Sequence, residues 1–133
     1  MPAQNEGLCY TKALTYRVRN LTRATSIGDA VGCAESAAER RTGLLKHTRL
    51  DVGEGLWIVP CEAVHTFFMK FALDLIYLDR KKRVRGVRGA VAPWRMSMCF
   101  AAHSVIELPV GTIERTGTQK GDQLEIVSAE ALT

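Results

Sequence analysis

The stretch from Gly55 to Asp79, GLWIVPCEAVHTFFMKFALDLIYLD, is mostly apolar and aromatic, yet it carries His65, Lys70 and Asp74. A histidine, an ammonium and a carboxylate in core-like sequence are costly unless they are paired or used. The chemistry they offer is acid–base work, with a cation to hold developing negative charge. In an unbroken strand Lys70 and Asp74 share a face with Phe68, Ile76 and Leu78. At the rise of a strand they stand about 13 Å apart, too far to pair directly. Their partners must therefore come from elsewhere: Glu107 for Lys70, and Arg95 or Arg40 for Asp74. Glu107 lies in Val-Ile-Glu-Leu-Pro-Val-Gly, facing away from Ile106 and Leu108 and sharing the side of Val105. With His65 it would make a base and its orienter; alone it would accept hydrogen bonds at a strand end. The expectation is thus either a polar ligand pocket built from His65, Lys70, Asp74, Arg95 and Glu107, or a structural ion-pair network closing one end of the fold.

Other patterns are less productive. Cys61-x-x-x-His65 and Cys99-x-x-x-His103 repeat one spacing, and two cysteines with two histidines can hold zinc. On extended strands each pair would be about 13 Å apart, and the tight C-x-x-C spacing is missing, so neither a metal nor another cofactor is expected. No serine or cysteine sits in a nucleophile elbow, so acyl transfer has no support. The basic run Arg80, Lys81, Lys82, Arg83, Arg85 and Arg88 lacks interleaved aromatics for base stacking and reads as a solvated turn, not a nucleic-acid surface. Trp57 reads as packing, and Pro93-Trp94-Arg95 as the lip of a pocket.

These residues need a scaffold, and the totals bound it. The chain has 133 residues, with 47% hydrophobic and 24% charged residues, enough for one domain with a real core. A net charge of +4 permits an anionic ligand without demanding nucleic acid. The N-terminal segment lacks the apolar region of a secretory signal. Lys70 and Asp74 interrupt the best apolar run, so no membrane span is expected. A cytoplasmic protein with four thiols follows from this reading.

Residues 1–12 read as a loose leader, 13–128 as one β-rich domain and 129–133 as a tail. Leu14, Tyr16 and Val18 alternate with polar residues as in a half-buried strand. Further strands are expected at 27–33, 56–59, 64–71, 73–78, 83–87, 104–108 and 123–127, with 64–71 and 73–78 as two strands or one long bent strand, and 93–99 irregular. Ser36 followed by Glu39 is a capping-box start for a short helix around 36–45, ending near Gly43. With one helix and no βαβ rhythm, the fold expected is mainly β: a single-domain antiparallel β-sandwich or partly closed, jelly-roll-like barrel.

In order along the chain stand Arg40-x-x-Gly43-Leu44-Leu45, Gly55-Leu56-Trp57, His65-Thr66-Phe67-Phe68-Met69-Lys70, Leu73-Asp74, Leu78-Asp79, Val105-Ile106-Glu107-Leu108-Pro109 with Gly111, and Gly121-Asp122. This combination, over roughly residues 12–128, resembles the uncharacterised ACR family (domain of unknown function 192), in its His-Thr-Phe-containing branch. The resemblance implies a compact β-rich domain with a small helix and no established activity, and marks Arg40, Gly43, Gly111, Gly121 and Asp122 as structural positions. The family's typical Trp-Met-Lys and Asn-Thr are replaced here by Phe68-Met69-Lys70 and Phe71-Ala72. The function expected is a non-enzymatic binding or accessory module for a small polar or anionic ligand or a protein segment. The alternative is a small hydrolase or lyase using His65 with Glu107 or Asp74, and Lys70 or Arg95 for the developing charge.

Overall fold

The computed structural model describes residues 15–36, 39–40, 44 and 47–129. The strands are β1 (Tyr16–Asn20), β2 (Thr25–Ala34), β3 (Glu54–Ile58), β4 (Ala63–His65), β5 (Leu73–Leu78), β6 (Val84–Val91), β7 (Met96–Met98), β8 (Ser104–Leu108) and β9 (Leu124–Ser128), with a short helix, α1 (Thr112–Thr116), before β9. Seven strands form one curled sheet in the order β6-β5-β8-β3-β2-β1-β9, and β4 and β7 form a second, small sheet. Neighbours run antiparallel except β2 and β3, whose parallel pairing needs the long crossover through residues 35–53. The expected mainly β, partly closed barrel is therefore the fold. The edges of the curl meet at a bridge between Arg83 and Gln123, beside backbone bonds from Val84 to Asp122 and from Leu124 to Lys82.

Alternation along the strands gives the large sheet two apolar faces. Val18, Ile27, Ile76, Ile106, Val84 and Leu124 pack together, and because β6 and β9 are opposite edges of the sheet, this cluster fills the inside of the curl. Leu73, Leu75, Tyr77, Val105 and Ile58 point the other way and are covered by Val64 of the small sheet, with Leu44 and Met69. Strands buried on both faces read as near-continuous apolar runs. This explains why Leu73–Leu78 and Ser104–Leu108 are buried at every position.

Two expectations change. The segment 64–78 is not one bent strand: β4 ends at His65 and β5 begins at Leu73, with Phe68 in the left-handed region (φ 67) between them. Residues 96–98, read as irregular, are β7, the partner of β4. The capping box forms: Glu39 N–H donates to Ser36 Oγ (3.0 Å) and Ser36 N–H to Glu39 Oε1 (3.0 Å). The rest of the predicted helix around 36–45 lies largely outside the described residues, Gly43 included. Gly121, at φ 97, turns the chain so that its N–H reaches the Val84 carbonyl at 2.8 Å. The following Asp122 is buried and accepts Asn20 Nδ2 (2.9 Å), Arg23 Nε (3.1 Å) and Gln119 N–H (3.1 Å), joining β1 to the turn before β9.

Candidate functional site

Two buried carboxylates sit one register step apart on the β5–β8 ladder and meet opposite fates. Asp74 pairs with Leu108 and Leu75 with Glu107. Paired residues point to the same face, so Asp74 faces inward with Leu108 and Glu107 faces outward with Leu75. Asp74 accepts three main-chain amides: Ala90 (2.8 Å), Gly111 (3.1 Å) and Ile113 (2.9 Å). The β5–β6 register shift between Leu73 and Leu75 lies beside the Ala90 contact. The other two amides open α1, whose own N-cap, Gly111 at φ 100, supplies no side-chain acceptor. Asp74 is thus a fastener of β6 and α1, and its partners are neither Arg95 nor Arg40.

Glu107 is only 5% exposed and has no hydrogen-bond or ion-pair partner among the described residues. Leu56 and Leu75 flank it across the ladders, and Val105 precedes it on the same face. Gly55 lets β3 come close: a Cβ there would lie 2.7 Å from the Glu107 carbonyl oxygen. Burial pushes the Glu107 carboxyl up to about 7, with no compensating donor. Cys61 lies near enough to feel it. Burial raises that thiol, a backbone hydrogen bond at Ala63 opposes the rise, the charge of Glu107 adds to it and that of Arg40 lowers it. Tyr77, also outward-facing, donates its hydroxyl to Ser97 Oγ of the small sheet at 2.9 Å. Among the described residues the layer between the sheets is therefore mainly apolar, with Glu107 as its unpaired carboxyl and a few weakly polar atoms.

His65, Lys70 and Arg95 lie outside that layer. On β4, Val64 faces the layer, so His65 is on the outer surface, where it opposes Met96 and stacks on Phe67 (centroids 4.9 Å apart). Lys70 is exposed, and among the described residues the Arg95 guanidinium donates to the carbonyls of Pro93 and Trp94. The five residues expected to form one pocket thus occupy three places. Cys61, His65, Cys99 and His103 do not converge either: among the described residues no group of three or more His, Cys, Asp or Glu is placed to hold a metal. The basic run is dispersed: Lys82 sits over the Trp57 ring, Arg88 over Tyr77, Arg83 reaches Gly121 O, and Arg85 stands 3.9 Å from Asp79.

The feature least visible in the sequence is Thr66, 1% exposed. Its hydroxyl donates to Ala92 O (2.7 Å) and accepts from Arg95 N–H (2.8 Å). Its N–H donates to Arg95 O (2.8 Å), and its carbonyl accepts from Trp94 (2.9 Å) and Met69 (3.1 Å). These bonds lock two loops together and hold Phe68 and Trp94, both at φ 67, against each other with ring centroids 4.7 Å apart. Aromatic residues in the left-handed region are rare and strained. The one sequence signal was the His-Thr-Phe motif itself, whose threonine carried no obvious role.

The model of the uncharacterized ACR family, domain of unknown function 192, matches residues 19–126. The chain belongs to this family. Its curated relatives include a UPF0127 protein of Pyrococcus furiosus, 30% identical over 80% of this chain and 94% of its own length. Another, from Pyrococcus horikoshii, is 33% identical over 71% and 85%. A third, from Thermococcus sibiricus, is 33% identical over 53% of this chain, and the match spans about half (49%) of that relative. Among solved structures, a Novosphingobium aromaticivorans protein of unknown function superposes with a TM-score of 0.72 at 21% identity, covering 83% of this chain and 82% of its own. A Sinorhizobium meliloti protein, described as a proposed transcription regulator, superposes at 0.74 with 20% identity over 85% and 92%. These two likenesses show the fold alone. The family match spans both Leu73-Asp74 and Val105-Ile106-Glu107-Leu108-Pro109 and attaches no chemistry to them.

Proposed function

We propose that this chain is a non-enzymatic binding module. Its ligand is a small polar molecule that offers an amine or hydroxyl donor to Glu107 in the layer between the two sheets. The observation that carries the reading is the isolation of that carboxyl. A nine-tenths buried acid without donors lowers stability once ionised and is normally paired when its role is structural. A donor from a ligand supplies the missing partner. The hydrolase or lyase alternative draws no support from the geometry: His65 faces outward, Asp74 is on the inner face, and burial holds the Cys61 thiol in its protonated form. A role in transcription, as proposed for the Sinorhizobium protein, gains nothing from a basic run whose members rest on Trp57, Tyr77, Gly121 and Asp79.

The test is a thermal-shift panel of small amines, polyols, amino acids and divalent metals on the wild type and on Glu107→Gln. A true ligand at about a hundredfold excess over Kd adds about 2.7 kcal/mol, a rise of roughly 10 °C for a domain of this size. The rise should be largely absent in Glu107→Gln. A panel that moves neither protein, or moves both equally, would overturn the proposal.

A further inference from the structure

The outer face of the small sheet carries a second feature that the Glu107 site does not use. Phe100 is 81% exposed, Met96 71%, Phe68 69%, Trp94 55% and Met98 46%. Met96 and Met98 share the outward side of β7, Phe100 follows Met98 by two residues, and Phe68 and Trp94 pack on each other in the loops that adjoin β4 and β7. A contiguous apolar surface of this kind on a folded domain marks an interaction site. The rings are pre-arranged, since Phe67 stacks between His65 (4.9 Å) and Trp94 (5.8 Å) while Thr66 fixes both loops from beneath. Exposed Lys70 and Arg95 flank these rings, and Arg88 lies behind them with its guanidinium on the Met98 carbonyl (3.2 Å). The nearby acid is Glu62, before β4.

We infer that this face docks on an anionic lipid bilayer. Protruding Trp, Phe and Met side chains beside Lys and Arg are the set that enters a bilayer interface while the cations stay at the headgroups. Each such cation near an anionic surface adds about fivefold in partitioning. A second copy of the chain fits less well, because a two-fold contact through this face would bring Lys70 and Arg95 of both copies together. The test is co-sedimentation of the full chain with vesicles of phosphatidylcholine alone and of phosphatidylcholine mixed with phosphatidylserine. Emission of Trp94 is read in parallel in a Trp57→Phe background. Binding should favour the phosphatidylserine vesicles by about tenfold or more, weaken with salt, and shift Trp94 emission to the blue. Phe68→Ser with Phe100→Ser should lose about tenfold or more in partitioning at an unchanged Tm, since both side chains are exposed. Lys70→Glu with Arg95→Glu should abolish the preference for phosphatidylserine. The inference falls if no vesicle binds. It also falls if binding survives the Phe68 and Phe100 substitutions, or if the chain instead forms a lipid-independent dimer that those substitutions dissolve.

Discussion

Replacing Glu107 by Gln should change how stability depends on pH more than it changes stability at any one acid pH. Burial moves the carboxyl from its ordinary 4.5 to about 7. Below the lower value both folded and unfolded chains hold the proton, and the folded state carries a neutral acid at no electrostatic cost. Between the two values the unfolded chain ionises while the folded chain keeps its proton, so the folded state binds more protons and stability falls as pH rises. The loss is complete once pH passes the folded value. At about 1.4 kcal/mol per unit it amounts to roughly 3 kcal/mol. Glutamine has the shape of the neutral acid and does not titrate. The two proteins should therefore be nearly equal in urea unfolding at about pH 3.5, and Glu107→Gln should be the more stable by roughly 3 kcal/mol at about pH 8. Every other titrating group is common to both and cancels in the difference. A difference that stays flat across this window, or a wild type that gains on the variant as pH rises, would refute the claim that Glu107 is buried without a partner.

Asp74→Ala should destabilise by about 3 kcal/mol in urea unfolding, because the Ala90, Gly111 and Ile113 amides lose their acceptor; a loss below about 1 kcal/mol would contradict the fastening role. Asp122→Ala should cost a similar amount, about 3 kcal/mol, by stripping Asn20, Arg23 and Gln119 of a shared partner. Burial alone would raise the Asp122 carboxyl, but bonds from Asn20, Arg23 and Gln119 and the charge of Arg23 outweigh it and hold the group below its ordinary value. Its contribution is present above the unfolded value of about 3.9 and is lost as pH falls through the folded one, so the variant should show a weaker acid limb in an unfolding titration.

The strands were legible where one residue type dominated. Leu73–Leu78, Ser104–Leu108 and the alternating Tyr16–Asn20 stand close to where their patterns predict, and the Ser36–Glu39 capping box forms with both of its bonds. The error at 64–78 has a physical cause. Phe67, Phe68 and Phe71 carry high strand propensity, but propensity does not reveal that Thr66 gathers six bonds while Phe68 turns into the left-handed region. β7 was missed because a three-residue strand with two exposed methionines has no apolar inner face to announce it. The site suffered from the same error. A continuous strand put His65, Lys70 and Asp74 on one frame, and breaking it at Thr66 sends His65 and Lys70 to the surface while Asp74 stays in the sheet. Glu107 was legible as an anomalous carboxylate, and its facing with Val105 was correct.

The contrast between Asp74 and Glu107 separates what the two charges are for. They occupy neighbouring ladder positions, are both nearly sealed from water, and differ only in what their faces meet. Above Asp74 lie main-chain amides at the start of a helix and beside a register shift in β6, groups that cost free energy unless something accepts from them. A carboxylate there satisfies the backbone, and an apolar replacement would leave three donors stranded. Around Glu107 the described residues Leu56, Leu75, Val105 and Cys61 make no hydrogen bond to it, so leucine or glutamine would serve the layer at least as well at neutral pH. The fold explains Asp74 completely and explains nothing about Glu107. On the proposed reading, a residue that the scaffold would be more stable without serves what enters the layer, and for that reason Glu107, not the richer cluster around His65, is the position on which the ligand panel turns.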